Sequence, residues 1–191
     1  MDVLIVYASR HHGTQGIAER IAEVLRADGL AAQVLSAESA PTPDAADAVV
    51  IGSGVYMGSW LNDGTWYLER NQIALAKRPV WLFSSGPLPG STRNTAAVDP
   101  VEATFGPADG PGSGGRKRIA ALSAVIHPRD HAVFEGAFDP TEPPRSMPER
   151  FLRIMPGSKH ILPTGDFRDW AAIDAWAHEI SEAVRPVAII R

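Results

Sequence analysis

Three short stretches carry the residue types from which a site for a phosphorylated, planar ligand is built. The first is Ser9-Arg10-His11-His12-Gly13-Thr14-Gln15, which follows the apolar run Val3–Tyr7 and leads into a helical pattern. Its hydroxyls, its glycine and the backbone N–H groups of a helix start form an arrangement that holds a phosphate by hydrogen bonds and helix dipole. The second is Gly52-Ser53-Gly54-Val55-Tyr56-Met57-Gly58-Ser59-Trp60. Its glycines permit close backbone approach, while Tyr56, Met57 and Trp60 offer flat or polarizable surface for a stacked ring. The third, Ser84-Ser85-Gly86-Pro87-Leu88, is placed to close over the other face of such a ring.

Other chemistries fit less well. The chain has no cysteine, which removes disulfides, thiolate metal sites and a cysteine nucleophile. His11 and His12 are adjacent and point apart, and no partner follows at ligand spacing, so no metal site is expected. The G-x-G-x-x-G fingerprint is missing. Gly52-Ser53-Gly54 does not match the G-x-S-x-G elbow of serine hydrolases. In Gly110–Lys117 the lysine falls one place late for a nucleotide-binding P-loop, no Ser or Thr follows it and no strand precedes it. Arg116-Lys117-Arg118 reads as the solvated start of a helix. No side chain is assigned as a catalytic acid, base or nucleophile.

These stretches need elements that bring them together. Val3–Tyr7, Ala31–Ser36, Ala48–Ile51, Val80–Phe83 and His131–Phe138 read as five strands, alternating with helical patterns as in a doubly wound parallel sheet. Ile17, Ile21, Val24 and Leu25 recur at helical spacing until Asp28-Gly29 stops the first helix. Further helices are expected from about Trp60 to Leu75, from Arg116 through Val125 and around Glu149–Met155. A last helix should begin at Gly165-Asp166, with Asp166 as its N-cap and Ile173, Trp176, Ala177, Ile180 and Val184 as its buried stripe. Prolines and glycines mark irregular insertions at about 87–115 and 140–165 within one domain spanning 1–191. Ligands of such sheets bind beyond the carboxyl ends of the strands, where the three stretches lie.

Composition narrows the partners. The 191 residues carry a net charge of −4 with 45% hydrophobic and 21% charged residues, which suits a globular domain with its own core. There is no basic footprint for nucleic acid. The apolar runs fall short of the roughly 20 residues of a membrane helix, leaving at most peripheral membrane contact. Met1-Asp2 runs straight into a strand without an export signal, so the expected location is the cytoplasm.

In order and type, the three loops on a five-strand pattern resemble the flavodoxin family. The blocks Val6–Ile21, Val49–Trp60, Phe83–Leu88, His131–Phe138 and Gly165–Trp176 resemble in particular the flavodoxin-domain group around menaquinone-dependent protoporphyrinogen oxidase. The resemblance implies a flavodoxin-like sheet of order 2-1-3-4-5, non-covalent FMN, and an oxidoreductase or electron-transfer function with a small-molecule redox substrate or an electron donor and acceptor. Carried over, Ser9, Arg10, His11, His12, Gly13 and Thr14 correspond to the phosphate loop. Gly54, Val55, Tyr56, Met57, Gly58 and Trp60 correspond to the first ring loop, and Ser84, Ser85, Gly86 and Leu88 to the second. One departure stands out: the family places a glycine three residues after the leading Ser or Thr, and here that position is His12. A positive φ there would strain an L residue by about 1–3 kcal/mol. This departure motivates the competing expectation of a flavodoxin-like module that has lost FMN and binds a deazaflavin coenzyme, another ligand or a protein partner.

Overall fold

A computed structural model describes residues 1–56, 58–86, 113–138 and 165–185. Most of both expected insertions and the expected helix at Glu149–Met155 lie outside the described residues, as do Met57 and Leu88. Strand β1 (Asp2–Ala8) leads to helix α1 (Gly13–Ala27), and β2 (Ala31–Ser36) is followed by only a 3₁₀ turn, Pro43–Ala45, before β3 (Ala48–Tyr56). The two-residue strand β4 (Ser59–Trp60), helix α2 (Asn62–Leu75) and strand β5 (Val80–Gly86) follow. Then come α3 (Ser113–Ile126), β6 (Asp130–Glu135), the short strands β7 (Ala137–Phe138) and β8 (Gly165–Asp166), and α4 (Trp170–Val184).

The main sheet has the order β2-β1-β3-β5-β6, its neighbours parallel, with β4 returning antiparallel onto β3. This is the five-strand order expected from the sequence, with β4 added on the carboxyl end of the inner strand β3. Two apolar layers sandwich the sheet. On one side Ile5, Phe83 and Phe134 meet Ile17 and Ile21 of α1 and Ile173 and Trp176 of α4. On the other, Val6, Ile51 and Leu82 meet Leu68 of α2 and Ile119 of α3. Each such fully buried side chain contributes about 1.5–3 kcal/mol. Phe83, Phe134 and Trp176 also pack as tilted and edge-on aromatic pairs, with centroids 5.6–6.1 Å apart, and the Trp176 indole donates to Asp130 at 2.6 Å.

The structure corrects several boundaries. Strand β3 runs on through Gly52-Ser53-Gly54 to Tyr56, and β5 through Ser84-Ser85 to Gly86. Gly52 is small for packing, because a Cβ there would fall inside the Phe83 ring of the neighbouring strand. Trp60 does not open α2. It pairs with Val55 across a tight turn at Gly58, whose φ of +72° suits glycine, and α2 starts two residues later. The fifth parallel strand ends at Glu135, and Ala137–Phe138 pair with β8 instead. The last helix starts at Trp170, and its cap is Asp169, whose carboxylate accepts from the Ala172 N–H at 3.0 Å. Asp166 lies in β8 and binds Arg168. Helix α3 starts at Ser113, three residues earlier than expected.

Candidate functional site

Parallel register brings four strand ends to one edge. Ala8 pairs with Ser53, Gly54 with Ser85, and Gly86 with Glu135, so the segments after β1, β3, β5 and β6 emerge side by side. There Ser9, His11, Gly13, Thr14, Gly54, Val55, Tyr56, Ser85, Gly86, Gly136 and Ala137 line one cleft. Three separate stretches of sequence therefore meet at this edge.

The first wall is the loop into α1. His12 adopts the left-handed conformation, with φ 55° and ψ −4°. The first helical bond runs from the Gly16 N–H to the His12 carbonyl at 2.9 Å, and the N–H groups before it have no acceptor within the helix by construction. Thr14 and His11 are buried beside them. The left-handed turn is thus kept without a glycine, and His12 is the residue that bears the strain. Its Nδ1 lies 2.9 Å from Gln15 Oε1, while the Gln15 amide donates to Glu19 at 2.8 Å. That orientation of the amide makes His12 Nδ1–H the donor, which steadies the turn from its exposed side.

The second and third walls are bare backbone. A Cβ on Gly54 would stand 3.3 Å from Thr14 Oγ1 and 3.2 Å from Cε2 of Tyr56. One on Gly136 would stand 3.4 Å from Gly86 and from Ser85 Oγ. The Tyr56 ring folds back over Gly54, and Arg10 lies across it, its guanidinium carbon 4.8 Å from the ring centroid. The cleft is narrow, about 30 Å³. A larger cleft of about 340 Å³, lined among others by Asp2, Leu4, Gln33 and Thr42, lies at the opposite end of β1 and β2. It has neither an α-helix N-terminus nor a glycine-lined wall.

Several of the anticipated residues do not line the cleft. Trp60 and Ser84 are buried beneath it, where the Trp60 indole donates to Ser84 Oγ at 2.7 Å and Ser84 Oγ lies 2.9 Å from His131 Nε2. They anchor the β3–β4 hairpin to β5 rather than offering a stacking face. Gly58 forms the hairpin turn, and His12 shapes the first loop from outside. Gly136 and Ala137 were missed, although Gly136 follows the fifth parallel strand by the same rule that picks out the other three loops. Ala137 also packs over the helix start, since a Cβ on Gly13 would stand 3.2 Å from its carbonyl oxygen.

The donor set fits a phosphate with a planar ring attached: hydroxyls of Ser9, Thr14 and Ser85, a helix N-terminus, and glycine walls that a side chain would fill. Among the described residues no group of three or more His, Asp or Glu is placed to hold a metal ion, and no helix is long and apolar enough to cross a membrane.

A family model described as a flavodoxin domain matches residues 4–141. Among solved structures, a flavodoxin from the domain Archaea superimposes with a TM-score of 0.55 at 13% identity, covering 96% of this chain and 99% of that one. The flavodoxin of Streptococcus pneumonia TIGR4 gives 0.54 at 14% identity, covering 96% and 99%. Rubredoxin oxygen:oxidoreductase from Desulfovibrio gigas gives 0.55 at 14% identity, covering 96% of this chain but 36% of that protein. At these identities the likeness is one of fold. No curated protein sequence matches the chain.

Proposed function

The chain belongs to the flavodoxin-domain family, and on that premise we propose that it is an FMN-dependent oxidoreductase or electron-transfer protein. The observation that carries this reading is the convergence of the α1 N-terminus with the glycine-walled ends of β3, β5 and β6 in one cleft. FMN, when bound, would supply the redox chemistry; the protein supplies binding, orientation and electrostatics. In this reading Ser9, Thr14 and the backbone N–H groups of Gly13–Gln15 hold the phosphate. Gly54 and Gly86 admit the ring edge to bare backbone, Tyr56 flanks the ring, and Ser85 offers a hydroxyl. His12 takes the positive φ that a glycine would supply, which supports a phosphate loop of the flavodoxin shape here; a module without FMN remains the competing reading, and the titration below separates the two.

Within this reading, an activity like that of menaquinone-dependent protoporphyrinogen oxidase rests on the sequence blocks alone, and turnover of a porphyrinogen by the FMN-loaded protein would test it. The general reading is tested by titrating the full chain with FMN and with riboflavin. Tighter binding of FMN supports the phosphate cradle at α1. Failure to bind either flavin would overturn the reading.

A further inference from the structure

Gly13 and Gly16 stand three residues apart in α1 and so share one face of its first turn. Both are faced by the β7–β8 pair and the turn that follows it. A Cβ on Gly13 would stand 3.2 Å from the Ala137 carbonyl oxygen, and one on Gly16 would collide with Nη1 of Arg168. Ala137 pairs with Asp166, and the Phe167 N–H donates to the Gly136 carbonyl at 3.1 Å. This segment therefore hangs from the wall of the cleft, which Gly136 and Ala137 both line. Arg168 closes the contact. Its Nε and Nη2 donate to the two oxygens of Asp166 at 2.8 and 2.6 Å, its guanidinium carbon lies 4.4 Å from the centroid of Trp170, and its side chain is only 17% exposed. A long, flexible cation is thus locked in place, with Nη1 left against the backbone of α1.

We propose that Arg168 is a positioning residue for the phosphate: held by Asp166 and Trp170, it pins the first turn of α1 and so fixes the backbone N–H groups of Gly13–Gln15 relative to the glycine walls. The proposal rests on the flavin reading above. Those N–H groups have no partner within the helix, and a first turn is the part of a helix that frays most readily. The residue before it, His12, sits in a left-handed conformation that disfavours an L side chain, so support from outside the helix counts. Ala137 supplies one contact, over Gly13, and Arg168 the second, over Gly16. Shape matters here as well as charge. A planar guanidinium serves a carboxylate fork and an aromatic face at once, which an ammonium does not. The Asp166 carboxylate, kept below its usual range by its hydrogen bond from Arg168, stays charged near neutral pH and keeps the fork closed.

The test uses the full chain as wild type, Arg168→Met, Arg168→Lys and Gly16→Ala, each titrated with FMN and with riboflavin, together with amide hydrogen exchange of the ligand-free protein. Arg168→Met is expected to weaken FMN about tenfold, the effect of losing one hydrogen bond to a charged group, while riboflavin changes by less than about threefold. Arg168→Lys keeps the charge but loses the fork, and should resemble Arg168→Met. Gly16→Ala, which by propensity alone would favour the helix, should displace the guanidinium and give the same selective loss. In ligand-free Arg168→Met the Gly16 amide, bonded to the His12 carbonyl, should exchange faster, while the amides of Ile21–Leu25 keep their rates. A lysine variant with the wild-type ratio of FMN to riboflavin affinity overturns the proposal, because charge alone would then suffice. So does an equal loss of both flavins, the mark of a general structural role. Unchanged exchange at Gly16 overturns it whatever the flavins do. If the wild type binds neither flavin, the functional reading fails and the proposal with it, an outcome that the exchange rates tell apart from a failed clamp.

Discussion

Replacing His12 by glycine and by alanine separates the strain of the first loop from its hydrogen bond. His12 has φ 55°, a region that disfavours an L residue by about 1–2 kcal/mol. Glycine relieves this strain but gives the unfolded chain more freedom, an opposing effect of about 0.4–1 kcal/mol. Both variants lose the exposed contact of His12 with Gln15, so it cancels between them. The difference leaves His12→Gly more stable than His12→Ala by about 1 kcal/mol. Urea unfolding monitored by the fluorescence of the buried tryptophans should show a higher midpoint for the glycine variant at unchanged slope. An alanine variant as stable as the glycine variant would refute the reasoning, because the turn would then not require a positive φ.

Other substitutions test the packing beneath the cleft. Gly52→Ala forces a methyl into the Phe83 ring and should destabilise by about 1–3 kcal/mol, read as a lower melting temperature. Ser84→Ala removes the acceptor of the buried Trp60 indole and should destabilise by about 1–3 kcal/mol; a change within 0.5 kcal/mol, on the order of a surface substitution, would mean that the indole finds another acceptor. Burial pushes the Tyr67 phenol up to about 12, and its hydroxyl donates to the Pro41 carbonyl at 3.0 Å. Because its folded value lies above the unfolded one of about 10, this contribution is complete below pH 10 and is lost as pH rises toward the folded value. Tyr67→Phe should flatten the alkaline fall in stability, and an unaltered fall would locate it elsewhere.

Much of the architecture was legible because it rests on local patterns. Apolar runs marked the strand cores, Ile17, Ile21, Val24 and Leu25 marked α1, and the alternation of strands with helices implied the parallel order. What failed depended on contacts from elsewhere in the chain. The third strand was expected to stop at Ile51, whereas β3 continues through Gly52 and Gly54 to Tyr56, with the Phe83 ring filling the space a side chain on Gly52 would need. Trp60 looked like a stacking surface, but its hydrogen bond to Ser84 of β5 takes it into the core. Asp166 and Asp169 both suit a helix start, and the pairing of Asp166 with Ala137 in β8 decided for Asp169. The site was legible as three loops because each follows an apolar strand. Its fourth contributor, Gly136, carried the same positional signal without the hydroxyls or aromatic rings that drew attention to the others.

The central claim is that the ligand sits at the carboxyl ends of β1, β3, β5 and β6. Amide NMR of the full chain titrated with FMN tests it most directly. The account predicts large shifts at Ser9–Thr14, Gly54–Tyr56, Ser85–Gly86 and Gly136–Ala137, with little change at Asp2, Ala31–Gln33 and Thr42 around the larger cleft at the other end of the sheet. Shifts concentrated at that opposite cleft, or none at the four strand ends, would contradict it.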